Sequence, residues 1–404
     1  MKQSHHREWL LLLTSLSVFL LFLLTGCWSS NDIDKMGMGI GLALDASNKS
    51  NVEKKLEKQG KSPPHVDTIT MTYQFINPKA TSKESSSAGP QQKAYLNASQ
   101  TGESILPIIR EFSLSHDTPL FSPHLKVIVI SEALLHTHRL ESLLDLFLRD
   151  NEIRPSCLLL VSNGNARDVL ETKKPGELPA LNLHGIVDNR NRTAKILPPV
   201  SLAKLTAKLN SESSFLLQNV AASNKEVKFE GAAVINGKTK KWAGFLNEMD
   251  LEGITWITGK GKGGLVRSRD KETGQLIIYE IETMESKITP HVDGNKISFD
   301  VHINSKGRLS ENWVLNANPF ENEFLKRVEK AAELEVRKLV KSVTAKMQNH
   351  FHADVAGFGE RLRIEYPKTW EKVKKDWDQT FSTVPITYFV KLTTTDFGAS
   401  GPSK

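Results

Sequence analysis

Asn318–Met347 reads NPFENEFLKRVEKAAELEVRKLVKSVTAKM, and it decides the architecture of the second half of the chain. Phe324, Val328, Ala332, Val336, Leu339, Val343 and Met347 recur at steps of three or four, one continuous apolar stripe. Asn318 suits an N-cap, Pro319 the first helical position and Glu321 the third, the pattern of a capping box. A helix of about 30 residues spans ~45 Å at ~1.5 Å per residue, long for a globular domain. Its single apolar face is expected to lie across an antiparallel sheet. The strands for that sheet flank it: Ile277–Ile288 and Ile297–Ile303 meet near Asp293-Gly294-Asn295, where Asp-Gly signals a turn. Beyond the helix, Trp370–Phe381 is helical in pattern and Ile386–Thr393 reads as a closing strand.

Moving upstream, Val227–Trp242 reads as a hairpin, with Phe229–Ile235, a turn at Asn236-Gly237-Lys238, and Trp242. Leu246–Leu251 reads as a short helical turn and Ile254–Ile257 as an extended piece. Pro175, Pro179, Pro198 and Pro199 bracket a weakly patterned stretch with the composition of a domain exit. Before it the pattern alternates. A helix over about 103–112 carries Pro107, followed by a strand over Leu125–Ile130 and a helix over about 132–148. The apolar stripe of that second helix is Leu135, Leu140, Leu143, Leu144 and Phe147. A strand over Cys157–Val161 and a short helix over Ala166–Glu171 complete an α/β-type passage with a parallel or mixed sheet. Met36–Leu42 and Ile69–Ile76 read as neighbouring strands around a charged insertion, Val52–His65. Lys79–Gln92 has no aromatic residue and the composition of a surface loop.

The N-terminus has Lys2 and Arg7, an apolar run from Leu10 to Leu24, then Leu24-Thr25-Gly26-Cys27. A charged start, an apolar middle and small residues before a cut are the parts of a signal peptide. A cysteine directly after the small pair resembles a bacterial lipobox, which makes Cys27 the expected lipid attachment residue. A membrane span needs roughly 20 apolar residues, and this run is shorter. Cleavage would remove Lys2, Arg7 and Glu8, taking the net charge from +7 to +6. With Cys27 acylated, Cys157 is left alone in an apolar run, and no intrachain disulfide can form. The expected fold class is α+β: a three-domain body with mixed or antiparallel sheets and packed helices, the long C-terminal helix lying across a sheet. Residues 1–26 form the signal peptide, 27–200 the lipid-anchored N-terminal α/β-type domain, 201–262 a small middle domain and 263–404 the C-terminal α+β domain.

Chemistry is sparse. Gly259-Lys260-Gly261-Lys262-Gly263-Gly264 lacks the spacing of a phosphate loop and reads as a flexible turn. His350, His352 and Asp354 form an H-x-H-x-D string, yet nothing else supplies the further ligands a zinc site needs; His136 and His138 are discounted alike. No G-x-S-x-G elbow occurs and no nucleophile–base pair stands out, so no catalytic residue, metal or cofactor is assigned beyond the lipid on Cys27. The thin spread of basic charge suits an anionic membrane surface and has no platform for nucleic acid.

Asp354-Val355-Ala356-Gly357-Phe358-Gly359-Glu360, then Tyr366-Pro367-x-x-Trp370 and Lys375-Asp376-Trp377-x-x-x-Phe381, resembles the C-terminal signature of the spore germination receptor C subunits, the Ger(x)C lipoprotein family. Upstream matches keep the family order: Gly26-Cys27-Trp28; Phe121-x-x-His124-Leu125-Lys126-Val127-Ile128-Val129; Leu148-Arg149-Asp150-x-Glu152-Ile153-Arg154; and Gly231-Ala232-Ala233-Val234 leading to Trp242-Ala243-Gly244-Phe245-Leu246. The resemblance implies a lipid-anchored, non-catalytic subunit of a nutrient germinant receptor on the outer face of the spore inner membrane. Its implied partners are two integral membrane subunits, one permease-like, and membrane lipid. Departures lie at surfaces and edges: the two insertions, and Thr394-Thr395-Asp396-Phe397-Gly398 where a basic pair is expected. Physically, Gly357 and Gly359 suit a helix end, Pro367 the start of the next helix, and Trp370, Trp377 and Phe381 one packed face. Arg149, Asp150, Glu152 and Arg154 form an expected local ion network and a candidate interface. The alternative function is a solute-binding lipoprotein that captures a germinant directly, which requires a concave site with convergent polar groups.

Overall fold

The computed structural model describes residues 9, 13–15, 37–47, 68–77, 80, 92–116, 120–172, 174, 176–224, 226–315, 317–318 and 320–397. Cys27 with its lipobox, the 52–65 insertion, most of the 79–92 loop and Pro319 lie outside these residues.

The first half builds one mixed sheet. In chain order its elements are β1 (Gly37–Ala46), β2 (Ile69–Ile76), β3 (Tyr95–Gly102), α1 (Ile105–Phe112), β4 (Leu120–Phe121), β5 (Val127–Ser131), α2 (Glu132–Thr137) and α3 (Leu140–Arg149). They continue as β6 (Leu158–Ser162), α4 (Ala166–Val169), α5 (Pro179–Ile186), α6 (Leu202–Asn210), β7 (Phe215–Ser223), β8 (Glu226–Ile235) and β9 (Trp242–Leu246). The strand order is β3-β2-β1-β5-β6-β7-β8-β9, with β4 beside β1. The contacts among β1, β5, β6 and β7 are parallel, while β2, β3, β8 and β9 flank them in antiparallel pairs.

The central strands are apolar on both faces because both faces are covered. Leu42, Leu44, Ile128, Ile130, Leu159 and Val161 pack under α1, α2, α3 and α6. Their neighbours Ala43, Val127, Val129, Leu158 and Leu160 pack under α4 and α5. Buried Gln74 ties the second layer down: its Nε2 donates to the Leu170 carbonyl (2.7 Å), and its Oε1 accepts from the Ala180 amide (2.9 Å). Both ends of the amide are satisfied, as burial requires.

The helix expected over 132–148 is divided into α2 and α3. The break falls at His138 and Arg139, both extended, and the Leu140 amide donates across the fold to the Lys240 carbonyl at 2.9 Å. A tertiary hydrogen bond there replaces the intrahelical one.

The second half follows α7 (Glu248–Thr258): β10 (Gly264–Arg269), β11 (Leu276–Asp293), β12 (Lys296–Asn312), α8 (Asn322–Lys346), α9 (Phe358–Glu365), α10 (Pro367–Val373), α11 (Trp377–Phe381) and β13 (Ile386–Asp396). The sheet runs β10-β11-β12-β13, with only the β12–β13 pair parallel. Asp293 pairs with Lys296, so the long hairpin turns at Gly294-Asn295. Six stripe residues on α8 and Met347 just beyond its end are all buried, and the helix lies across the sheet as its periodicity requires. A second stripe of α8 seals the free edge of β13: Glu329 accepts from the Thr394 amide (2.7 Å), Glu333 from the Leu392 amide (3.3 Å), and Arg337 donates to the Tyr388 carbonyl (2.8 Å). Covered edges resist pairing with other chains.

Two further expectations need correction here. The α8 helix begins at Asn322, with Glu321 as its N-cap. Asn318 instead closes a turn upstream, its Oδ1 accepting from the Phe320 amide and its Nδ2 donating to Glu321 Oε1. The groups of the expected capping box thus bond to each other outside the helix. The turn-plus-extended reading of 246–257 is replaced by the single helix α7. Its true capping box is Asn247 with Asp250, and Gly259 ends it in the left-handed conformation. Leu251, Gly253, Ile254, Thr255, Trp256 and Ile257 are all buried, so no polar face marks the helical period. The burial has a cause: α7 is wedged between the two sheets, sharing one core with Ala232, Val234 and Leu246 of the first and Val336, Val340 and Val343 of α8. Lys346 of α8 clamps the buried Asp250 carboxylate at 2.6 and 2.7 Å.

Candidate functional site

The family-like stretch lies where α8 stops. One π turn, Met347–Phe351, ends at His352, whose φ of 47° is left-handed. Two residues on, the buried Asp354 carboxylate meets the start of α9. Its Oδ1 accepts from the amides of Ala356 (3.2 Å), Gly357 (2.9 Å) and Phe358 (3.2 Å). Its Oδ2 accepts from the Gly359 amide (2.6 Å) and the Trp377 indole Nε1 (3.0 Å). Three orphan N–H groups of a helix start, the Ala356 amide just before it and one buried indole are satisfied by a single side chain.

The signature residues converge on this carboxylate. Gly357 holds φ at +89°. A Cβ on Gly359 would lie 2.5 Å from Trp377 Nε1 and 3.0 Å from the Trp370 ring, so the indoles leave no room for a side chain. Pro367 occupies the first turn of α10. Trp370 meets Trp377 edge-on at 5.5 Å, and Phe381 lies 6.1 Å from Trp377 and 5.4 Å from Phe358. The single helix expected over 370–381 is broken by a 3-10 turn, Lys374–Asp376, beyond which the Trp377 indole reaches Asp354.

A polar relay joins this hub to the first sheet. Asp378 Oδ1 accepts from the Asp354 amide (3.3 Å) and its Oδ2 from Ser214 Oγ (3.3 Å), whose oxygen accepts from the Gly237 amide (3.0 Å). Burial, reinforced by the neighbouring Asp354 charge, raises the Asp378 carboxyl above the usual range. Beside the relay opens a cleft of ≈ 720 Å³ whose walls include Lys208, Ser213, Lys260, Trp370 and Lys375. Burial, together with Lys260 and Lys204, lowers the Lys208 ammonium, which stands 5.5 Å from the Phe215 ring.

The other expected residues lie elsewhere. Arg149 at the end of α3 pairs with Asp145 at 2.8 Å, and Asp150 accepts from the Glu152 amide. Among the described residues no ion pair links Arg149, Asp150, Glu152 and Arg154, so the expected network is absent. Arg149, Glu152 and Arg154 are exposed around buried Ile153. His350 packs edge-on against Phe351, and His352 bonds Ser382. Among the described residues no group of three or more His, Cys, Asp or Glu side chains could hold a metal ion. The role of Asp354 as a hub was hidden in the H-x-H-x-D string. An aspartate followed closely by Gly-Phe-Gly at a helix start was its one local signal; the indole donor comes from 23 positions away.

Together these features define a two-sheet α+β body whose second half closes on a buried aspartate. The family described as spore germination protein N-terminal domain matches residues 29–222, and that described as spore germination B3/GerAC like, C-terminal, matches residues 230–398. The chain is 50% identical to spore germination protein YndF of Bacillus subtilis (strain 168) over 94% of its length and 95% of the relative's. It is 32% identical to spore germination protein A3 of the same organism, covering 95% of this chain and 96% of the relative. The crystal structure of the GerBC protein superposes with a TM-score of 0.60 at 25% identity, over 90% of this chain and 100% of that one. The chain belongs to the Ger(x)C family of spore germination proteins.

Proposed function

We propose that this protein is the lipid-anchored, non-catalytic C subunit of a nutrient germinant receptor, held on the outer face of the spore inner membrane through lipid on Cys27. It assembles there with two integral membrane subunits, one of them permease-like. The observation that carries the reading is likeness to germination proteins along nearly the whole chain, both sheets included. Support also comes from the lipobox-like Leu24-Thr25-Gly26-Cys27, and from the fact that among the described residues no helix is long and apolar enough to cross a membrane. A body of this kind needs an anchor to stay at a bilayer, and a single acyl chain binds only marginally; partners and further acylation supply the rest.

Detergent extraction of spores and capture of this chain is expected to recover the two membrane subunits with it. Capture of the chain alone would sink the reading. Cys27→Ala is expected to move the body from the membrane to the soluble fraction and to slow nutrient-triggered germination. Full membrane retention of that variant would show that lipid on Cys27 is not the anchor.

A further inference from the structure

The cleft of ≈ 720 Å³ beside the Asp378 relay is bounded by α6 and the residues after it, by Lys260 beyond the end of α7, and by α9 to α11. Cations outnumber acids in its lining, and the acids are accounted for. Asp354 is held by its five donors, Asp378 accepts from Ser214 and the Asp354 amide, and Glu360 pairs with Arg363 at 2.6 Å. Glu212, exposed, acts on the buried Lys240 ammonium. Two of the lysines are engaged as well: Lys374 pairs with Glu371 at 2.6 Å, and Lys238 donates to the Lys375 carbonyl. Lys208, Lys260 and Lys375 have no side-chain hydrogen bond or ion pair among the described residues. Lys208, in the last turn of α6, is half-buried; burial, Lys260 and Lys204 all lower its ammonium, and no acid opposes them.

An ammonium withdrawn from water with only like charges beside it is destabilising until an anion arrives. Three such free cations line one cleft, each from a different segment of the chain, and all three are lysines. Guanidinium groups match a planar carboxylate, whereas ammonium groups bind phosphate as point charges, and a dianion neutralises more than one of them at once. We propose that this cleft binds a phosphate monoester dianion, its phosphate at Lys208 and Lys260, its body on the half-buried Trp370 ring, with Lys375 adding further positive charge. A free ester and a lipid headgroup present the same group to these lysines. The volume falls in the range of small-ligand sites. An occupant would fasten α6 of the first half to α9–α11 of the second, next to Asp354. This goes beyond the receptor-subunit reading and does not depend on it.

The test is calorimetric titration of the full-length protein in neutral detergent micelles with glycerol 3-phosphate, and in a second arm with the same micelles carrying phosphatidic acid. Acetate at matched ionic strength is the singly charged control. At least one of the two phosphate monoesters is expected to bind with a Kd of about 1 mM or tighter, and acetate not at the same concentration. Binding of glycerol 3-phosphate assigns a soluble ester; binding confined to phosphatidic acid assigns a lipid headgroup. Lys208→Gln and Lys260→Gln are each expected to weaken that binding by ~10-fold or more. Lys260→Gln, on an exposed side chain, decides the matter if Lys208→Gln yields no folded protein. Lys330→Gln removes one exposed charge from α8, outside the cleft, and is expected to leave the affinity unchanged. The proposal is overturned if neither ester binds, if acetate binds as tightly, if a folded cleft variant keeps wild-type affinity, or if Lys330→Gln weakens binding as much. Since no receptor partner is needed, its failure would leave co-capture of the membrane subunits untouched, and the reverse holds as well.

Discussion

The two sheets solve the same problem in opposite ways. In the first, β5 and β6 are buried at every position, because helices cover both faces. In the second, β12 alternates buried and exposed over most of its length, because α8 and the helices after it cover one face and the other meets water. A parallel centre obliges the chain to cross over with helices, whereas a hairpin of long antiparallel strands can leave one side wet. The difference shows where the second half needs help. With one covered face, its short closing helices α9 to α11 pack their apolar residues on the core, and a single carboxylate ties the start of α9 to Trp377 of α11.

The largest expected effect follows from that anchor. Asp354→Ala strands four backbone N–H groups and the Trp377 indole, and a loss of about 3–5 kcal/mol is expected by denaturant unfolding. An effect under about 1 kcal/mol would show that the first half holds those helices without it.

Next in size is a polar scan of adjacent strand positions. Leu159→Asn and Leu160→Asn point to opposite covered faces of the first sheet, and each is expected to destabilise by about 3 kcal/mol. In the second sheet Val301→Asn should behave likewise, whereas exposed His302→Asn should stay within about 0.5 kcal/mol. Equal losses at Val301 and His302 would break the one-face description.

The smallest effect concerns Glu252 of α7, whose carboxyl burial pushes up against the opposing charges of Lys195 and Arg267. Glu252 has a folded pKa of about 7 against an ordinary value of 4.5, so the folded state holds its proton more tightly than the unfolded chain. Its destabilising contribution is absent below about pH 4.5, grows as pH rises, and levels off above about pH 7. Glu252→Gln is therefore expected to match the wild type near pH 4.5 and to exceed it by on the order of 1–3 kcal/mol at pH 8. Lys195, Arg267, Glu248 and Glu335 are left in place by the substitution. A stability gain independent of pH would assign the effect to packing.

Where one face is wet, periodicity is visible. The α8 stripe, the Asp-Gly hairpin and the strands beneath them could be read directly from spacing. The apolar runs of β5 and β6 were equally plain. By contrast β3, an edge strand that is polar after Tyr95 and Leu96 except for Ala98 and Gly102, carries little apolar signal. Helix α7, buried nearly all round, shows no polar face and reads as something else. The breaks at His138 and Lys374 answer to partners far along the chain, Lys240 in one case and Asp354 in the other.

By itself the amino-acid order determined the long helix, the hairpin, the doubly covered central strands, the lipobox-like start and the ordered motifs of a germination protein. Each is a local pattern, set by side-chain period or by neighbours within a turn. Tertiary structure alone decided that Asp354 gathers its five donors, that α7 is the wedge between two sheets, and that Lys208 and Lys260 share one cleft. Those outcomes depend on which surfaces become neighbours when the chain packs, and the energy of a buried charge or amide is set by neighbours distant in sequence.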